Sequence, residues 1–271
     1  MEAVGLCDTD PVTLGIVCDL DGVVWDGRRI LPGAVDGLRT LDDGGAEVWY
    51  VTNNSRLATA DISDRLAEIG APTPHNVLTS AEAAASLVPP GSRVLVVGGH
   101  GIHRAVEAYG STPVAVADLS HHDAATMDAV VVGLDEHFDY HRLWVAQAAV
   151  LGGAMLIGAN PDTSYPADGG VRPGGGSIVA AVAAASSTEP VIAGKPNEPM
   201  ARLWRERTTA SRGRIVMIGD RRATDGRFAQ RLGAEFILIT SAVSDHDRDD
   251  LEVNASCGTL AEAADWITNG G

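Results

Sequence analysis

This chain of 271 residues is poor in aromatic residues (4%), in cysteine and in positive charge, and it has no long apolar run. Its three cysteines, Cys7, Cys18 and Cys257, are odd in number and show no CxxC spacing, so neither a disulfide framework nor a zinc site is indicated. Lys and Arg total 20 against 36 Asp and Glu, a formal net charge of −16, which argues against general binding to nucleic acid or to an anionic membrane. An anionic ligand would therefore need a local positive site. No apolar stretch approaches membrane-spanning length, and the N-terminus has no basic segment followed by an apolar one. A reducing cytoplasm is the expected compartment. The length fits one large domain with an insertion, or two domains.

What is present is an alternation of β-branched apolar runs with helical patterns, the signature of βα units on a mostly parallel sheet. Strands are expected at 15–18, 48–52, 94–97, 114–117, 129–133, 155–158, 190–193, 214–218 and 236–240. Helices are expected at 59–70, ending at Gly70 as a C-cap, at 140–151, and at 177–185 after a Pro-Gly-Gly-Gly turn. The Ala/Val stripe of this last helix reads as core packing.

Four short stretches carry the chemistry: Asp19-Leu20-Asp21-Gly22, Thr52-Asn53-Asn54-Ser55, Gly194-Lys195-Pro196, and Gly219-Asp220 with Asp225 following. Each follows or ends an apolar run, and the carboxyl ends of strands are where open α/β sheets bind ligands. An Asp can attack phosphorus, and a second carboxylate two residues on can protonate the leaving oxygen and then activate water. Gly22 lets the backbone turn close to a phosphate. Thr52, Asn53 and Asn54 can donate to phosphoryl oxygens, although an Asn-Asn-Ser run also suits a turn that caps the next helix. Lys195 offers a fixed ammonium against phosphate charge. Asp19, Asp220 and the backbone carbonyl of Asp21 supply the hard oxygens that Mg²⁺ prefers. Asp225 fits either a metal site or a helix N-terminus.

On these motifs the chain resembles the haloacid dehalogenase superfamily, and within it the class IIA, NagD-like phosphatases. The matching segments are DLDGVVWDG at 19–27, LPGA at 31–34, VTNNSR at 51–56, GKP at 194–196 and IGDRRATD at 218–225, with VVVGLD at 130–135, IGANPD at 157–162 and PGGGS at 173–177 between them. The resemblance implies a Rossmann-like α/β core of residues 1–79 and 188–271 with an inserted α/β cap at 80–187. It implies Asp19 as nucleophile, Asp21 as general acid/base, Thr52 and Lys195 as phosphate binders, and Asp220 as Mg²⁺ ligand, with Asp19 and Asp21 also in the metal set and Asp225 either an additional ligand or a residue behind the ligands. The activity implied is Mg²⁺-dependent hydrolysis of a small phosphorylated metabolite through an aspartyl-phosphate. Three positions depart from the family pattern: Gly226 where an aliphatic residue is usual, Ser241-Ala242 where Thr-Gly is common, and Tyr165 in a variable segment of the cap.

Within that cap, the segment 160–170 reads as a loop whose Asn160, Asp162 and Tyr165 would choose the leaving group. A second copy of the chain, docked through the cap, is a further expected partner. The alternatives are a phosphometabolite-binding module that lost turnover, or a nucleotidase or pyridoxal-phosphate phosphatase of the same family. Asp21 argues against the first, since a pocket kept only for binding needs no acid/base. Three other features read as structural. Gly98-Gly99-His100-Gly101 lacks the full nucleotide-loop spacing, and His137 with His141, and His121-His122-Asp123, lack the Glu or Cys company of a metal site.

Overall fold

Gly15–Cys18 is apolar throughout, and all four of its residues are buried. A strand of that kind must meet protein on both faces. In the computed structural model, which describes residues 14–167, 170–240 and 251–270, it lies inside a six-stranded sheet. The order across that sheet is Ala255–Cys257, Glu235–Ile239, Ile215–Gly219, Gly15–Cys18, Glu47–Thr52 and Val77–Thr79, every pair parallel. Side chains alternate along the central strand. Ile16 and Cys18 enter one layer with Leu38, Leu41, Leu260 and Ile267, while Val17 enters the other with Met200, Trp204, Met217 and Phe228.

A second, five-stranded sheet is also all parallel, in the order Val191–Ile192, Met155–Gly158, Ala129–Val132, Arg93–Val97 and Thr112–Ala115. The two sheets share one apolar cluster, which runs from Val17, Val51 and Met217 through the buried helix Ser80–Ala85 to Val94, Val96 and Val131. Alanines at 81 and 83–85 let this helix sit close to both sides. Thr79 and Glu82 start it by exchanging side-chain and backbone hydrogen bonds. Among the described residues no helix is long and apolar enough to cross a membrane.

Four expectations shift. Val191–Ile192 pairs with Ile157 and Gly158, so the strand expected to open the returning core belongs to the second sheet. The segment read as a loop contains an antiparallel hairpin, Ser164–Ala167 with Gly170–Pro173, in which Tyr165 faces Arg172. Strand 114–117 lies two residues earlier, at Thr112–Ala115, because Pro113 is tolerated on an edge strand. The helix expected from 177 begins at Gly175. Its glycines are there for fit, since a Cβ on Gly176 would lie 2.3 Å from the Pro161 carbonyl.

Candidate active site

Gly15–Cys18 has Ile215–Gly219 on one side and Glu47–Thr52 on the other, and the chain leaves it in opposite directions across the sheet. The carboxyl ends of these neighbouring strands therefore open on the crevice where strand order reverses. Asp19, Thr52 and Asp220 sit at those ends, and with Asp21, Gly22, Asn53, Asn54, Lys195, Asn160, Asp162 and Tyr165 they line one cleft of 420 Å³. Every candidate from the sequence is in that cleft except Asp225, which is fully buried behind it.

Lys195 is 1% exposed and its ammonium lies 2.8 Å from Asp19 Oδ1 and 2.7 Å from Asp225 Oδ1. Burial opposes its charge, but the two carboxylates outweigh that and hold its pKa above the ordinary lysine value. The other oxygen of Asp225 accepts from the backbone N–H of Arg221, 3.2 Å away. Both oxygens of Asp225 are thus engaged, which makes it an anchor for Lys195. Its position depends on Gly219, where a Cβ would fall 2.3 Å from Asp225 Cβ, and on the π-helical turn Arg222–Gly226 that returns it to the strand end. Gly226 itself faces Leu251 and Phe236, which occupy the space an aliphatic side chain there would need. Ser241-Ala242 lies outside the described residues.

Gly22 is fixed by two constraints, a φ of +89° and a Cβ position 2.3 Å from Asp220 Oδ2. That contact brings the Asp19-Asp21 turn onto Asp220. Asp19, Asp220 and Asp225 offer carboxylate oxygens all within 4.8 Å of one another. Burial, with Asp225 and Asp21 adding to it against Lys195, pushes the Asp19 pKa up to about 7. Burial and the charges of Asp225 and Asp19 push Asp220 up to about 8. Asp21 opens to the cleft yet has protein around its other sides, and this desolvation raises its pKa against the opposing hydrogen bond from Trp25.

The phosphate-loop candidates divide by what their side chains already do. Thr52 Oγ1 accepts from Asn54 N at 3.0 Å, leaving its hydroxyl proton free to donate. Asn54 Oδ1 holds the turn by accepting from Arg56 N and Leu57 N, while its Nδ2 has no partner among the described residues. Asn53 Nδ2 donates to Asp162 Oδ2 and to the Lys195 carbonyl, each at 3.1 Å. Asn160 Nδ2 donates to the Asn53 carbonyl at 2.8 Å. Asn160 and Asp162 are therefore turned onto the Asn53 loop, a seam between the two sheets, whereas Tyr165 lines the cleft with no such tie among the described residues. Burial raises the Asp162 pKa, opposed by Arg221 and Asn53.

Sequence reasoning passed over Trp25, Arg65 and Arg221, all of which line the cleft. Arg221 follows Asp220 directly. Its position in the chain was the only signal, because the carboxylates that stabilise its charge, Asp220, Asp162 and Asp19, come from separate segments. The glycine run 98–101 serves packing: Gly101 N donates to the Arg56 carbonyl, and a Cβ on Gly101 would lie 2.2 Å from the Leu57 carbonyl. His121 stacks on Trp144, and neither it nor His137 joins a metal-ligand grouping among the described residues.

Residues 16–112 match the model of the haloacid dehalogenase-like hydrolase family, and residues 192–263 match a second, HAD-hydrolase-like model. Chronophin of Bos taurus is 34% identical over 242 residues, covering 85% of this chain and 82% of that protein. The chain belongs to the haloacid dehalogenase superfamily. Within the superfamily it is a NagD-like phosphatase, a phosphoric monoester hydrolase. Among solved structures, a hypothetical protein of Pyrococcus horikoshii superposes with a TM-score of 0.86 at 31% identity, covering 94% of this chain and all of that one. The glycerol phosphate phosphatase of Mycobacterium tuberculosis, solved with magnesium, gives 0.78 at 30% identity, covering 91% of this chain and 74% of that one. The α/β fold with parallel sheets is thus the HAD phosphatase fold.

Proposed function

We propose that this HAD phosphatase hydrolyses small phosphorylated metabolites such as sugar, polyol or glycerol phosphates, with Asp19 as nucleophile and Asp21 as general acid/base. The observation that carries this is the convergence of Asp19, Thr52, Asp220 and Lys195 at the floor of one cleft. Its 420 Å³ suits a metabolite and not a polymer. An Asp19 oxygen attacks phosphorus while the bond to the leaving oxygen breaks, and that oxygen takes its electron pair and the proton of Asp21. Asp21, now a carboxylate, takes a proton from water as the water oxygen attacks the aspartyl-phosphate, which frees phosphate and restores Asp19. Lys195, the Thr52 hydroxyl and Asn54 Nδ2 would hold phosphoryl oxygens meanwhile.

The donor set fits a hard divalent cation. It is all oxygen, without His or Cys, and three crowded carboxylates face a single ammonium. Asp19, Asp220 and the Asp21 carbonyl would hold Mg²⁺, since Asp225 is engaged elsewhere. When bound, the ion supplies charge stabilisation to the transferring phosphoryl group. Chelator is expected to stop phosphate release from p-nitrophenyl phosphate, and added Mg²⁺ to restore it. Mg²⁺ should also raise the melting temperature of the wild type but not that of Asp220→Asn. Full activity after exhaustive chelation, or an equal thermal shift in both proteins, contradicts the assignment.

In this reading residues 80–187, with the edge strand Val191–Ile192, form a cap over the core site, and Tyr165 is its selector. Tyr165→Ala is expected to change the ratio of kcat/KM values between two metabolite phosphates by about 10-fold or more, the scale of a single pocket contact. A uniform change across the panel would remove Tyr165 from substrate choice.

A further inference from the structure

The proton donor of this reaction sits on a turn whose other end is an indole. Trp25 Nε1 donates to Asp21 Oδ1 at 3.0 Å, and Trp25 is only 3% exposed. The turn between them is closed by Gly22 N to the Trp25 carbonyl at 2.7 Å and by Trp25 N to the Leu20 carbonyl at 3.1 Å. Acid and indole are therefore held on one closed turn. The indole is clamped in turn: the Arg65 guanidinium lies 3.9 Å from the ring centroid and donates from Nη2 to the Gly27 carbonyl at 2.7 Å, across the tip of the short hairpin Trp25–Asp26 with Arg29–Ile30.

We propose that Trp25, held by Arg65, is a positioning residue that fixes the rotation of the Asp21 carboxyl and places its transferable proton on Oδ2, the oxygen that faces the leaving group. The proposal rests on Asp21 being the acid. An indole N–H can donate but cannot accept. In a protonated carboxyl the carbonyl oxygen is the better acceptor, so a donor on Oδ1 favours the tautomer with the O–H on Oδ2. Among the described residues Oδ2 accepts no hydrogen bond, which leaves it free for the substrate. Without the indole N–H the proton could sit on either oxygen, and the carboxyl could turn about χ2, a broad and weakly restrained torsion. Arg65 adds nothing to the proton itself. It keeps the ring plane, and with it the N–H direction, from rocking, and its own second anchor at Gly27 ties that constraint to the hairpin.

The test compares kcat/KM for an alkyl phosphate, glycerol phosphate, with that for p-nitrophenyl phosphate. This ratio reports transfer to Asp19 and not the later hydrolysis, so only the leaving-group step is read. An alkoxide needs its proton, whereas nitrophenolate departs without one. Trp25→Phe keeps the ring under Arg65 and removes the donor. It is expected to lower the value for glycerol phosphate about tenfold, part of the 10²–10⁴ that a placed acid supplies, and that for p-nitrophenyl phosphate by less than about twofold. Equal loss on both esters, or no loss on either, overturns the positioning role. Asp21→Asn separates this from the underlying mechanism: it should show the same selectivity more strongly, and an equal effect on both esters would reject Asp21 as the acid whatever Trp25 does. If Trp25→Phe does not fold, Arg65→Gln carries the same comparison, with a selective loss on glycerol phosphate in support and a non-selective one against.

Discussion

Asp19→Asn is expected to abolish turnover, lowering kcat by at least about 10⁴-fold, while leaving the fold in place. The amide is nearly isosteric but cannot form an aspartyl-phosphate. Its structural cost is small because Lys195 keeps Asp225 at 2.7 Å. There is also a gain, since the replaced carboxyl is crowded enough for its pKa to be pushed up to about 7. Removing it from a cluster that holds Asp220 and Asp225 within 4.8 Å relieves repulsion. The melting temperature measured with chelator present should therefore equal or exceed that of the wild type. Initial rates of phosphate release from the purified variant check the first part. A residual rate within tenfold of wild type would displace Asp19 as nucleophile.

Lys195→Met should cost both stability and activity. The ammonium is fully buried between two carboxylates, and Met fills similar volume without charge. Deleting one member of a buried ionic group leaves uncompensated charge, at a cost of about 3–5 kcal/mol. Urea titration in chelator would show it as a lower midpoint with an unchanged slope. Adding Asp225→Asn to the same chain should return part of that loss, because it removes one of the two carboxylates left without their cation, Asp19 being the other. Turnover should stay lost, since the phosphate still lacks its cation. A single variant that unfolds at the wild-type midpoint would mean that Lys195 does not balance the acidic cluster.

Much of the site could be read from the chain because its parts are local. Cys18 is the last residue of an apolar strand and Asp19 the first after it, so a single short window holds both the strand and its functional edge. Thr52 ends its own strand, and Asp220 is the first residue after Ile215–Gly219. The hairpin at 164–173 escaped because its Pro and Gly residues match a loop as well as they match two paired edges. Strand 191–192 was placed with the wrong sheet for a similar reason: two apolar residues fit either one, and only their pairing with Ile157 and Gly158 decides. Asn54 takes the turn role that its sequence allows, with Oδ1 accepting from Arg56 N and Leu57 N, while its Nδ2 has no partner among the described residues.

By itself, then, the sequence determined the α/β class, the order of the chemical groups, the acidic pair and the lysine, since each depends on neighbours a few residues away. Only the tertiary structure decided how these groups are partnered. Lys195 and Asp225 are 30 residues apart and Asn53 and Asp162 are 109 apart, yet each pair meets in a hydrogen bond. That Asp225 serves the lysine, and that Asp162 faces the Asn53 loop, follow from strand order and from glycines that let backbones approach. A carboxylate's role is set by which donor reaches which of its oxygens, and across such separations that is a property of packing.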